Sequence, residues 1–185
     1  MRSMDGKRRP IVRLGHPVLR QRAEEVGADR FGTRFLRDLG RDLVRTMHED
    51  NGVGLAAPQI AVPLRVFAYY LPREGAIEEI PPRVLVNPVL TLEGEPSELG
   101  WEGCLSVPGL RGVVPRHARI RVSAVDVEGD PVSFEAEGFH ARVIQHEHDH
   151  LDGIIFVDRM TDLSSLAYED ELERFSSEQE VSVEV

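Results

Sequence analysis

Residues 146–150 read His-Glu-His-Asp-His. This H-E-x-x-H pattern constrains the chain more than any other feature, because it works as a site only on a helix. Positions four apart on an α-helix share a face, so His146 and His150 can both reach one metal ion. Glu147 sits beside the first of them, where its carboxylate can take a proton from a water on that ion. With 7 histidines in the chain, the competing reading is an exposed acidic helix that happens to be rich in histidine. His148 falls on the opposite side of such a helix and is expected to be solvated or packed, not a ligand.

A catalytic metal of this kind needs three protein ligands and an open position. Downstream of the helix stand only Asp158 and Asp162, which are unpersuasive. Upstream lies Cys104 in Glu102-Gly103-Cys104-Leu105-Ser106. A lone cysteine is most often a small core residue. The neighbouring glycine and the turn-rich residues 108–112 argue instead for a strand end at a site, and a thiolate suits a borderline ion. A third stretch, Gly52-Val53-Gly54-Leu55-Ala56-Ala57-Pro58-Gln59, is stripped of side-chain bulk. It reads equally as a tight connector or as a place where another backbone approaches closely, with the Gln59 amide offered to developing negative charge.

Around these stretches the pattern predicts an α+β domain, with mostly antiparallel sheets packed around the central helix that carries H-E-x-x-H. Residues 11–14 read as a short extended segment and 15–17 as a turn. Thr33 is placed to cap a helix running to about Asp50. Its Leu36, Leu39, Leu43 and Met47 recur at helical spacing, and Asn51-Gly52 ends it. Residues 65–71 and 83–92 are strand-like, the second with Pro88 marking an edge or a bulge. Ile120, Val122 and Ala124 alternate with polar residues, and residues 132–137 complete a hairpin across Glu128-Gly129-Asp130. The central helix is expected over 138–151, ending before Gly153, and a further helix over 164–175. Residues 1–10 are expected to be a flexible tail with Lys7, Arg8 and Arg9 solvated, 11–175 one catalytic domain, and 176–185 a frayed acidic tail.

Composition narrows the partners. The 22 Lys and Arg against 32 Asp and Glu give a formal net charge of -10. That makes direct nucleic-acid binding an unpromising role. The apolar runs are too short to cross a bilayer, and residues 1–10 lack the apolar stretch of a signal peptide. One cysteine forms no internal disulfide, which fits a reducing cytoplasm and leaves the thiol for chemistry.

Taken together, the three stretches resemble the peptide deformylase family, whose GxGLAAxQ, EGCLS and QHExDH motifs occur in that order. Here they stand at 52–59, 102–106 and 145–150. Weaker cues agree: His16-Pro17-Val18-Leu19-Arg20, Val114-Pro115-Arg116 and Leu151-Asp152-Gly153. The resemblance spans about residues 11–160. It implies removal of the N-formyl group from nascent polypeptides beginning with formyl-methionine, in the cytoplasm and in transient association with the ribosome. Cys104, His146 and His150 would hold one divalent ion, Fe²⁺ in the typical family member, with Zn²⁺ or Ni²⁺ able to occupy the same ligands. Glu147 would activate the water, and the Leu105 N–H and the Gln59 side chain would stabilise the oxyanion. The extended peptide would pair with Val53, Gly54 and Gly103, and Arg111 would stand at its rim. Val53, Phe139, Val143 and His146 would line the methionine pocket. Two positions depart from the familiar bacterial pattern. Arg142 is expected to narrow or polarise that pocket, and Trp101 to form part of its wall. The rival readings are an H-E-x-x-H peptidase acting on ordinary peptide bonds and a module with a structural metal. The two upstream motifs speak against the first, and the absence of a fourth ligand near the three speaks against the second.

Overall fold

The computed structural model describes residues 6–73 and 79–181, and the side chains among them up to residue 175. The first five residues and the last four of the expected tails lie outside the described residues.

Two antiparallel sheets and two long helices make the frame. The strands are β1 (Gly54–Ala56), β2 (Val66–Leu71), β3 (Ile80–Glu93), β4 (Glu98–Cys104), β5 (Val107–Arg116), β6 (Arg119–Val125), β7 (Pro131–Glu137) and β8 (Ala167–Tyr168). They form a five-stranded sheet in the order β1-β2-β3-β6-β7 and a three-stranded sheet in the order β4-β5-β8. The helices are α1 (Arg34–Glu49), α2 (Gly138–Leu151), the short α3 (Phe156–Arg159) and α4 (Glu169–Val181).

Strand β2 shows why the large sheet is covered on both faces. Its Phe67, Tyr69 and Leu71 pack in one cluster with Ala141, Val143, Ile144 and Leu151 of α2. The alternate Val66 and Ala68 pack in a second cluster with Leu36, Leu39, Leu43 and Met47 of α1. Side chains alternate across a strand, so a strand sandwiched between two helices must be apolar at nearly every position. Each of those fully buried large side chains contributes about 1.5–3 kcal/mol relative to exposure. A third cluster, with Leu19, Val107, Val114, Ile155 and Phe156, closes the small sheet against α3. Helix α2 therefore has the five-stranded sheet on one side and the β4–β5 ribbon on the other, which is the central-helix arrangement the motif required.

Several local expectations hold. Thr33 caps α1, its hydroxyl accepting from the Leu36 N–H at 3.4 Å. The β6–β7 turn is tied by Asp126 Oδ1, which accepts from the N–H groups of Glu128 and Asp130. Pro88 marks a bulge and not an edge: the β3–β6 register shifts between Val86 and Val89, and Asn87 takes φ 49°. An interior strand tolerates proline only where the ladder is already broken.

Two expectations are corrected and one is refined. Lys7, Arg8 and Arg9 are exposed, as expected, but the segment is tied to α1. The Lys7 N–H donates to Asp42 Oδ1 at 2.7 Å, the Arg9 N–H to Thr46 Oγ1 at 2.9 Å, and Arg8 pairs with Asp50 at 2.7 Å. Asp42 and Thr46 are buried polar groups on α1, and burial without donors would be costly, so the segment alongside supplies them. Residues 108–112 are not a turn but part of β5. A register shift between Gly103 and Cys104, with φ 78° at Gly109, absorbs the extra residues. Finally, the last helix does not begin at Ser164. Asp162 caps a single 3₁₀ turn (Leu163–Ser165), and the Ser165 hydroxyl accepts from the Val113 N–H at 3.1 Å. The chain then pairs with β5 as β8 before α4 starts.

Candidate active site

The three motifs arrive at one place by three routes. Residues 54–60 form β1, on the edge of the large sheet, and the 3₁₀ turn Ala57–Ile60, which carries Gln59. Cys104 closes β4. His146, Glu147 and His150 lie on the buried face of α2. One ligand atom from each of Cys104, His146 and His150 lies within 4.8 Å of the others. Cys104 Sγ is 3.3 Å from His150 Nε2.

The donors suit a divalent ion in charge as well as distance. Burial works against ionising the Cys104 thiol, but the imidazoles of His150 and His146 outweigh it and hold the thiol well below its ordinary range. Burial likewise lowers His146, yet Cys104 and Glu102 hold it well above the usual imidazole range. His146 Nδ1 is 2.8 Å from Glu102 Oε2. Glu102 is itself held ionised: burial pushes its carboxyl up, and the Arg116 guanidinium and His146 pull it well below the carboxylate range. The Nδ1–H therefore donates to Glu102, and a bound ion would take Nε2 as its ligand by displacing the proton held there. Cys104, His146 and His150 thus form a group that fits a metal ion.

Behind the donors runs a buried ion network. Arg116 grips Glu102 through two hydrogen bonds of 2.8 and 2.9 Å and donates to Asp149 at 2.6 Å. Arg159 adds two contacts to Asp149. Glu102, Arg116, Arg142 and Asp149 are all buried. None of these roles was assigned from sequence. The signal available was the charged residue at Glu102, two positions from the candidate thiol.

Glu147 is 4% exposed, and its Oε2 has no hydrogen-bond partner among the described residues. Burial pushes its carboxyl up to about 7, against the pull of His146 and His150. The carboxylate rests on the backbone of β1. A Cβ on Gly54 would stand 2.2 Å from Glu147 Oε1. That explains the glycine in an otherwise ordinary strand position. Gly54→Ala is expected to displace the carboxylate and lower kcat/KM about 100-fold, with metal content unchanged. Steady-state kinetics with metal analysis checks it, and wild-type activity would show that Glu147 does not act from this seat.

A cleft of about 860 Å³ opens over the donors. Its lining includes Val53, Gly54, Gln59, Gly103, Cys104, Leu105, Arg111, Phe139, Val143, His146 and Glu147. His150 is not part of that lining; it is 1% exposed and sits behind Cys104. The Gln59 side chain is oriented by its oxygen, which accepts from the Ala56 N–H at 2.8 Å. Its amide nitrogen then points to Cys104 Sγ at 3.5 Å and Ser106 Oγ at 3.2 Å. His148, by contrast, packs between Arg65 and Asp152 away from the donors. Sequence reasoning missed Arg8, Ile11 and Arg13 on one wall and Glu169 on another, where Glu169 pairs with Arg111 at 2.6 Å.

The polypeptide deformylase family model matches residues 8–165. The chain belongs to the polypeptide deformylase family. Peptide deformylase 1 of Nitrosomonas europaea is 47% identical over 167 residues, spanning 89% of this chain and 94% of the relative. Peptide deformylase 2 of Pseudomonas syringae is 44% identical over 88% of this chain and 92% of its own length. Among solved structures, the Met-Ala-Ser-bound class I type b peptide deformylase of Acinetobacter baumannii superposes with a TM-score of 0.76 at 38% identity, over 83% of this chain and 99% of that one. The deformylase of Thermotoga maritima gives 0.75 at 35% identity, over 84% and 99%. The mixed helix and antiparallel-sheet fold is thus a deformylase fold, and among the described residues no helix is long and apolar enough to cross a membrane.

Proposed function

We propose that this chain is a peptide deformylase that removes the formyl group from the N-terminal formyl-methionine of nascent polypeptides and releases formate. The observation that carries the reading is Glu147, buried beside three metal donors, with one carboxylate oxygen unpartnered among the described residues at the floor of a cleft.

Cys104, His146 and His150 would hold one divalent ion, Fe²⁺ by preference, with Zn²⁺ or Ni²⁺ as substitutes. When bound, the ion supplies Lewis acidity, lowering the pKa of a water and polarising the formyl oxygen. Glu147 takes the proton from that water as it attacks the formyl carbon, then delivers it to the departing amine nitrogen. The Leu105 N–H and the Gln59 amide donate to the oxygen that gains charge. The substrate backbone pairs as an extra strand with Val53, Gly54 and Gly103, with Arg111 at its rim. Val53, Phe139 and Val143, with the edge of His146, receive the methionine side chain. Residues 11–175 act as one catalytic unit, preceded by the 1–10 segment and followed by the acidic 176–185 segment. The substrate is met in the cytoplasm through transient contact with the ribosome, without direct nucleic-acid binding.

The test is formate release from formyl-Met-Ala-Ser by protein prepared without oxygen, beside acetyl-Met-Ala-Ser. Rapid release from the formyl peptide alone supports the reading. Comparable cleavage of the acetyl peptide would point to a broader amidase. No release from folded, metal-loaded protein would overturn it.

A further inference from the structure

Arg142 lines the cleft, and its guanidinium is held by four acceptors. It donates to the carbonyls of Glu98 at 2.6 Å, Val114 at 2.8 Å and Gly100 at 3.4 Å, and to Glu102 Oε1 at 3.0 Å. These contacts give Arg142 a role beyond lining the pocket. β4 is the free edge of the small sheet, and its Glu98 and Gly100 carbonyls meet a side chain of α2. Gly100 makes the approach possible, since a Cβ there would lie 2.8 Å from the Arg142 guanidinium carbon.

The position of this contact gives it consequence. Arg142 and His146 are one helical turn apart on α2, and they hold opposite oxygens of the same buried carboxylate. Arg142 donates to Glu102 Oε1 and His146 Nδ1 contacts Oε2. Glu102 in turn stands two residues before Cys104 on β4. The strand that carries the thiol and the helix that carries the imidazoles are thus joined at Arg142, through one carboxylate and the carbonyls flanking it.

We propose that Arg142 is a positioning residue for the metal centre: seated on Gly100, it clamps the β4–β5 ribbon to α2 and fixes the spacing of Cys104 against His146 and His150. The proposal rests on the metal-site reading above and not on the identity of the substrate. Outer partners of metal ligands typically change metal affinity 10–100-fold when removed.

The clamp can be broken from either side. Arg142→Met removes the guanidinium while keeping most of the volume. Gly100→Ala leaves Arg142 in place but expels it from its seat. Arg142→Lys keeps the charge without the fork. The measurements are the rate of Zn²⁺ release to a coloured chelator, well below Tm, and the thiolate-to-metal absorption of Co²⁺-loaded protein. Neither depends on deformylation, so failure of the substrate reading leaves this test intact. Arg142→Met and Gly100→Ala are each expected to release Zn²⁺ about tenfold faster and to shift the Co²⁺ band. Arg142→Lys should fall between them and the wild type. Should Gly100→Ala not fold, Arg142→Met decides alone. A folded Arg142→Met protein with a lower Tm but wild-type Zn²⁺ release and an unmoved Co²⁺ band would overturn the proposal. So would unchanged release with altered preference between formyl-methionyl and formyl-leucyl peptides.

Discussion

Glu147→Gln should abolish turnover while leaving the metal in place. The substitution keeps the shape of a side chain that is 4% exposed and wedged over Gly54, so neither packing nor the donors of Cys104, His146 and His150 are disturbed. It removes the carboxylate that stands at the cleft floor to take a proton from water and pass it to the amine. General-base catalysis of this kind contributes about 10²–10⁴-fold, and a group that acts twice in one cycle belongs at the upper end. The expected result is kcat reduced about 10³–10⁴-fold, with stoichiometric metal by elemental analysis. The acid limb of the wild-type pH profile, which reports the base, should vanish from the residual rate. A metal-loaded variant with more than a tenth of wild-type activity would remove Glu147 from the base role.

The same substitution has a stability consequence of defined sign. Burial raises the folded carboxyl to about 7 in the metal-free protein, above its ordinary value of 4.5. A carboxyl with a raised folded pKa destabilises as pH climbs from its unfolded value, and the penalty is complete above about 7. Metal-free Glu147→Gln should therefore match the wild type below about pH 4 and exceed it in Tm at pH 8. The functional base is held at a cost in stability, as strained or desolvated catalytic groups commonly are.

Much of this fold is written in periodicity. The Leu36–Leu39–Leu43–Met47 stripe and the Ile120–Val122 alternation are visible because each burial pattern repeats with the period of its own element. Helical spacing brought His146, Glu147 and His150 together, and the resemblance of the three motifs to the deformylase family joined Cys104 and Gln59 to them. What stayed hidden depends on contacts between elements. Asp42 and Thr46 look like the wet side of α1 until the 7–9 segment is laid on them. Pro108, Gly109 and Gly112 look like a turn because only the register with β4 reveals a bulged strand. Arg142 reads from sequence only as a pocket residue, because nothing there reveals that the β4 carbonyls also meet it. Glu102 is the sharpest case: its partners Arg116, Arg142 and His146 lie 14, 40 and 44 residues away, beyond any local pattern.

Arg116→Met should be the most destabilising single change outside the apolar core. Arg116 is 4% exposed and, among the described residues, is the one side chain that joins Glu102 to Asp149. Methionine fills the space of the stem but leaves two buried carboxylates short of a cation. Arg142, His146 and Arg159 remain as partial partners, yet removing one member of a buried ion pair costs about 3–5 kcal/mol. In the wild type, burial raises both carboxyls, but His146 and the arginines outweigh it, and both are held below the carboxylate range. That stabilisation is present above their unfolded pKa values, near 4, and is lost as pH falls through the lower folded values. In Arg116→Met the folded carboxyls bind protons more readily, so the native variant takes up protons at a pH where the native wild type does not. The deficit should therefore be full at pH 7 and shrink as pH falls towards 4. Urea denaturation at pH 7 and pH 4 measures both values. A deficit that did not change with pH would mean that Arg116 acts through the packing of its stem and not through its charge. A full, pH-dependent deficit would identify the Glu102–Arg116–Asp149 network as the part of the fold that carries the metal-binding helix.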